Sequence, residues 1–309
     1  MRQYGAEQST TPSSRWTGRM RGGYWGNWIL IQLVRFPGAR CAYVPLVFVA
    51  AYYVIAAPEA RRASREFLGR ALGPLPFWKW PFLVYRHLFS FGIMLLDRVA
   101  VIQGSAKIEC SFEGETLIRE ALDSGRGVIL LGAHLGNWEL GGHLLERLGR
   151  PVNVVMLDRE VESVRKLYAE ALGNRGFRVI STDGHPLRGV PILAALKRGE
   201  IVALHGDRSF GGEDIRVPFL GDDVSLPIGP YLLAAASGAP MFQVFVVREK
   251  IGRYRFFTHP AAFLDRSLLR EKRDGLRPFV ETYAARLADV ARKYPFQWHN
   301  LYPFWSGPH

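Results

Sequence analysis

From about residue 100 onward, short apolar runs rich in β-branched residues alternate with longer stretches whose apolar residues recur at helical spacing, which leaves few architectures open. The runs Ala106–Phe112, Val128–Leu131, Val152–Met156, Phe177–Ile180, Ile201–Leu204, Gln243–Val247 and Tyr254–Phe257 predict strands. Between or after them, Glu115–Leu122, Trp138–Leu148, Val161–Leu172, Val190–Lys197, Pro230–Ala236 and Pro278–Lys293 predict helices. Strands separated by helices of this length need right-handed crossovers. The expected fold class is therefore α/β, a largely parallel mixed sheet flanked by helices, over residues 100–309. No internal repeat interrupts the pattern.

The strand predicted at Val128–Leu131 ends in Gly132-Ala133-His134-Leu135-Gly136-Asn137-Trp138-Glu139, a glycine-flanked histidine followed by an acid. Asn137 is a good helix N-cap, and Glu139 falls in the first helical turn, where the macrodipole favours an acid. Five steps of about 100° would place His134 and Glu139 roughly 140° apart on one helix. They meet only if His134 stands outside the helix, on the turn that the glycines allow. A carboxylate then holds one ring nitrogen and the other is left to take a proton, beside backbone N–H groups at a helix N-terminus. A buried strand-end histidine satisfied by a neighbour is the plainer alternative. Against it stand the adjacent acid and the strand C-terminus, the edge where open α/β sheets bind ligands.

This stretch resembles the His-x4-Asp/Glu motif of the lysophospholipid acyltransferase superfamily, most closely the bacterial late lipid A (lauroyl/myristoyl) acyltransferase branch. The likeness extends to Trp25–Leu72 with Arg61-Arg62-Ala63-Ser64-Arg65, to Leu196–Glu200 and Gly206-Asp207-Arg208, to Val217–Gly221, and to Gln297-Trp298-His299-Asn300 through Trp305. It implies a membrane-associated enzyme that moves a fatty acyl chain from a thioester on acyl carrier protein or coenzyme A to a hydroxyl or amine of a lipid or glycolipid. His134 is then the base and Glu139 its orienter. Arg159, which the resemblance places in the active-site block, joins backbone donors around Gly136 and Asn137 in holding phosphate or oxyanion. Asp207 and Arg208 orient His134, contact the acceptor or tie adjacent loops, the last being the expectation for Asp207. No cofactor is implied. Two other readings keep the same site: a silent lipid-binding protein, and a lipid hydrolase that uses the base on water.

Several chemistries are poorly supported. There is no Gly-x-Ser-x-Gly elbow, Walker lysine loop or dinucleotide fingerprint. His143 lies four residues after Glu139, but without a His-Glu-x-x-His motif no metal is expected. Gly211–Asp214 reads as a loop or turn before Val217. Forty Lys+Arg against 28 Asp+Glu give a net charge of +12, which suits anionic partners. Nucleic acid is not expected among them, since no zinc-finger spacing or aromatic ribonucleoprotein motif accompanies the charge. An anionic membrane or an acidic carrier protein fits equally well. Two cysteines, Cys41 and Cys110, argue against a disulfide framework.

The N-terminal third differs. Residues 1–23 are polar and rich in Ser, Thr, Gly and Arg, read as a disordered tail without a cleavable signal. Residues 24–99 read as a membrane-associated helical region. Its charge-free run Cys41–Pro58 would make a helix of roughly 27 Å, just short of a hydrocarbon core of about 30 Å. Spanning and lying in the interface therefore both remain open. A basic amphipathic helix over Arg61–Leu72 and the aromatics Phe77, Trp78, Trp80, Phe82 and Tyr85 suit a headgroup zone. The expected location is the inner membrane, with the catalytic part facing the cytosol.

Overall fold

A computed structural model describes residues 39–102, 108–138, 140, 145–156, 177–181, 189–208, 212–271 and 273–305. Its centre is a seven-stranded sheet in the order β1-β9-β8-β2-β5-β3-β4. The strands are β1 (Glu109–Glu113), β2 (Val128–Gly132), β3 (Val152–Met156), β4 (Phe177–Ser181), β5 (Ile201–His205), β8 (Met241–Lys250) and β9 (Arg253–Thr258). All neighbours run parallel except β8 and β9, a hairpin turning at Ile251-Gly252. The expected largely parallel mixed sheet is thus observed.

Strand β2 lies at the middle, and its side chains separate the two layers by simple alternation. Ile129 and Leu131 face one core with Val202, Leu204, Phe245 and Val247. Val128 and Leu130 face the other with Ile201, Val152, Val154, Val244 and Val246. Both faces of β2 are buried, which is why its sequence is continuously apolar.

Helices cover both layers. In chain order, α1 is Ala39–Ala56, α2 Pro58–Leu72, α3 Trp80–Ile102, α4 Glu115–Asp123, α5 Gly189–Lys197, α6 Gly229–Ser237 and α7 Arg273–Lys293, with a 3-10 turn at Phe77–Lys79 and a short helical turn at Leu268–Glu271. Helix α7 starts before the expected Pro278. Leu276, Val280, Tyr283, Ala284 and Leu287 already recur at helical spacing and are fully buried, so tertiary packing carries the helix through the proline. The expected helix Val161–Leu172 lies outside the described residues.

Asp214, the last residue of the expected loop Gly211–Asp214, opens an antiparallel ribbon of β6 (Asp214–Phe219) and β7 (Asp222–Pro227), which was not predicted. Its inward residues Ile215, Val217, Phe219, Val224 and Leu226 join the core of the α7 layer. Leu220 and Gly221 turn the ribbon with φ of 51° and 88°, as a two-residue turn with both central residues left-handed requires. Pro218 is tolerated because a two-stranded ribbon has only edge strands.

The N-terminal helices pack on this body. Phe67 and Leu68 of α2 are fully buried in the same core as Trp298. Helices α1 and α3 pack through Ala42, Leu46, Ile93 and Leu96. Buried Asp97 of α3 accepts hydrogen bonds from Tyr43 of α1 and Tyr254 of β9. Arg61 donates to the Val54 and Ile55 carbonyls at 2.6 and 3.3 Å, capping the last turn of α1. One side of α1 stays uncovered, with Val44, Phe48, Tyr52 and Ile55 exposed. Among the described residues no single helix is long and apolar enough to cross a membrane; one pair bent by 95°, Ala42–Ala56 with Pro58–Leu72, passes by length and composition.

Candidate active site

The register between β2 and β5 builds the site. Gly132 pairs with His205, so two residues further along each chain His134 and Asp207 emerge side by side at the C-terminal edge of the sheet. Asp207 is almost fully buried, and its carboxylate accepts three hydrogen bonds. Oδ1 accepts from Nδ1 of His134 at 2.8 Å, and Oδ2 from the His134 backbone N–H at 2.9 Å and the Trp298 indole N–H at 3.0 Å. Burial alone would raise this carboxyl. The charge and hydrogen bond of His134, with Arg208 and His205, outweigh it and hold Asp207 well below the usual carboxylate range.

Asp207 therefore occupies the ring nitrogen that the sequence reading gave to Glu139, and does more than tie adjacent loops. A hydrogen bond at Nδ1 fixes the tautomer and leaves Nε2 as the basic nitrogen. Glu139, Arg159 and His143 lie outside the described residues.

The turn itself is held by the C-terminal segment. His299 N–H donates to the His134 carbonyl at 2.9 Å, and Gly136 N–H donates to the Gln297 carbonyl at 2.7 Å. That second bond corrects the oxyanion role expected for Gly136, because its amide is already committed. Gly136 is instead a packing glycine. Its φ is +65°, and a Cβ there would lie 1.6 Å from the Val246 carbonyl oxygen. The buried side-chain amide of Asn137 donates to the Met94 carbonyl of α3 at 3.2 Å, while its backbone carbonyl accepts the Leu140 N–H at the start of a helical turn. It anchors the turn to α3. Buried Arg208 lies over Tyr302 and donates to the His299 carbonyl at 3.5 Å.

Two further residues were not singled out from sequence. Trp298, fully buried, links Asp207 to the helices, because His87 of α3 donates through Nε2 to the Trp298 carbonyl at 2.9 Å while Ser64 of α2 donates to His87 Nδ1 at 2.8 Å. His205 lies with its ring centroid 4.2 Å from that of His134 and 4.5 Å from that of Trp138. Their signal was register, which no local pattern carries.

Beside this cluster opens an apolar cavity on the face of the sheet that carries Leu130, Val244 and Val246. It is lined also by Trp138, Leu145, Val154, Phe177, Ala203 and His205.

His134, His205 and Asp207 place three ligand atoms within 4.8 Å of one another. The His134 Nδ1 to Asp207 Oδ1 distance of 2.8 Å, however, is a hydrogen bond. Two ligands of a tetrahedral zinc with bonds of about 2.0 Å stand roughly 3.3 Å apart, so a shared proton fits the pair better than an ion. Cys110 is half-buried and free, and burial pushes its thiol up to about 11, as for an inert structural cysteine.

Comparison with known proteins places this geometry in a lineage. The chain is 30% identical over 186 residues to the phosphatidylinositol mannoside acyltransferase of Mycolicibacterium smegmatis, covering 60% of this chain and 59% of that protein. With the enzyme of the same name from Mycobacterium tuberculosis it shares 26% identity over 247 residues, 78% of this chain and 76% of the other. With the lipid A biosynthesis palmitoleoyltransferase of Escherichia coli it shares 29% over 184 residues, 58% of each. The chain thus spans somewhat under two thirds of the length of the first and third of these. The family model described as bacterial lipid A biosynthesis acyltransferase matches residues 23–306, nearly the whole sequence and every element of the site. This protein belongs to the bacterial lipid A biosynthesis acyltransferase family.

Proposed function

We propose that the protein transfers a fatty acyl chain from a thioester donor to a hydroxyl or amine of a lipid or glycolipid acceptor, with His134 as general base and Asp207 as its orienter. The observation that carries this reading is the buried Asp207 carboxylate on both the backbone and Nδ1 of His134, whose ring lies against His205 in the lining of an apolar cavity. Such a pair presents Nε2 to an acceptor while an acyl chain lies along the sheet face.

The step balances without a cofactor. The acceptor oxygen attacks the thioester carbonyl carbon as His134 Nε2 takes its proton, and the C=O π pair moves to oxygen. When the tetrahedral intermediate collapses, that pair returns, the C–S bond breaks, and the leaving sulfur takes the proton from the imidazolium. Asp207 stabilises the imidazolium formed between the two steps. Arg159 is retained as a candidate phosphate or oxyanion contact on the strength of the resemblance.

Two features bear on partners. A net charge of +12 favours steering of an acidic acyl carrier protein over coenzyme A, an effect that weakens with salt. The uncovered apolar side of α1, together with exposed Phe77, Trp78 and Phe82 and the exposed Arg62 and Arg65, suits an anionic membrane face. We place the enzyme on the cytosolic face of the inner membrane. Mass spectrometry of lipids from a deletion strain tests the function. One glycolipid or phospholipid class should lose one acyl chain and regain it with the wild-type gene but not with His134→Ala. An unchanged acylation profile refutes the proposal.

A further inference from the structure

Gly136 N–H, one of the backbone donors expected at the oxyanion, is already bonded to the Gln297 carbonyl. The geometry points to His205: we propose that its imidazole N–H donates a hydrogen bond to the thioester carbonyl oxygen and stabilises the tetrahedral oxyanion. This rests on the acyl-transfer reading above.

Three observations converge. His205 lies on the cavity side of β5, two residues after Ala203 and level with Gly132 of β2, so it stands where the apolar lining gives way to the catalytic cluster. An acyl chain lying along Leu130, Val244 and Val246 brings its carbonyl to this ring. The ring also lies 4.2 Å from that of His134, so a carbonyl carbon within reach of an oxygen activated by His134 has its own oxygen near His205. Finally, the His205 ring, half-buried beside the cavity, makes no hydrogen bond among the described residues.

The chemistry fits a neutral donor. Burial first, and then the neighbouring charge of His134, hold protonation of His205 well below the usual histidine range, so it stays a neutral imidazole even while His134 carries the transferred proton. A neutral imidazole serves as an electrophile in other enzymes, and its donor is already in place when charge develops.

The test compares His205→Leu, His205→Gln and His134→Ala in acyl transfer from palmitoyl-acyl carrier protein and palmitoyl-coenzyme A, using the solubilised full-length chain. Acceptors are a phosphatidylinositol mannoside and a lipid A precursor. The carbonyl stretch of bound 13C-labelled palmitoyl-coenzyme A is recorded alongside. Removal of one oxyanion donor costs about 10²–10³-fold in kcat. His205→Leu should show that loss with KM for the thioester within about threefold of wild type, and its bound carbonyl should lose the downshift that wild type and His134→Ala retain. His205→Gln, still a donor, should recover part of both. A raised KM with unchanged kcat overturns the proposal, since the ring then only lines the chain, and so does an unshifted carbonyl in wild type. Failure of the acyl-transfer reading looks different: His134→Ala would turn over like wild type, whatever the carbonyl reports.

Discussion

Replacing Asp207 by asparagine changes one atom and removes a charge that three donors share. The carboxylate accepts from the His134 ring at 2.8 Å, the His134 amide at 2.9 Å and the Trp298 indole at 3.0 Å. An asparagine offers one acceptor oxygen and an NH2 that must face at least one of those donors. One buried donor is then left without a partner, at about 1–3 kcal/mol of stability. The greater effect falls on the chemistry: the ring loses the acceptor that fixes its tautomer and the charge that stabilises its protonated form. In the serine-protease triad the same substitution lowers kcat by about 10⁴. Here a loss of about 10²–10⁴-fold in kcat is expected, with thermal unfolding checking that the fold survives. Glu139→Gln, measured beside it, should cost less than tenfold. An Asp207→Asn enzyme within tenfold of wild type, paired with an inactive Glu139→Gln, would show that Glu139 is the orienter after all.

Acid should weaken the joint between the helices and the sheet. Burial lowers His87 to about 4, only partly offset by its bond to the Trp298 carbonyl. Above the unfolded value of about 6.5 its contribution is fully present, and it is lost as pH falls toward 4, by about 3 kcal/mol in total; urea unfolding at pH 7 and 4.5 should show this, with a flatter dependence in His87→Gln. Gly136→Ala, which drives a Cβ to 1.6 Å from the Val246 carbonyl, should lose several kcal/mol or fail to fold, whereas Gly252→Ala, with open space around it, should cost only about 1–2 kcal/mol for its left-handed φ. Exposed Phe48 and Ile55 should anchor the membrane contact, each worth up to about 1.5–3 kcal/mol when buried; the double change to serine should release the protein from anionic liposomes in flotation.

The parallel sheet was legible because strands buried on both faces must be continuously apolar, and Val128–Leu131 shows this directly. The β6/β7 ribbon was not read, although Ile215, Val217 and Phe219 alternate, because Arg216, Asp214 and Pro218 between them carry loop composition. In the site, His134 announced itself by its strand and glycines. Its partner did not, since 73 residues separate Asp207 from His134 and only the pairing of Gly132 with His205 brings them together. Gly136 was legible as a special backbone position, but its bonds to a segment 161 residues away were not. Local sequence pattern locates strand ends and turns. Which strand ends become neighbours is a property of sheet order.

The most direct measurement is single-turnover transfer by purified wild-type and His134→Ala protein, using radiolabelled palmitoyl-acyl carrier protein with each acceptor in liposomes at low and physiological salt. Wild type should form a base-labile acyl lipid, faster at low salt, while His134→Ala binds the thioester and leaves it intact. Equal product from the two proteins would contradict His134 as the base.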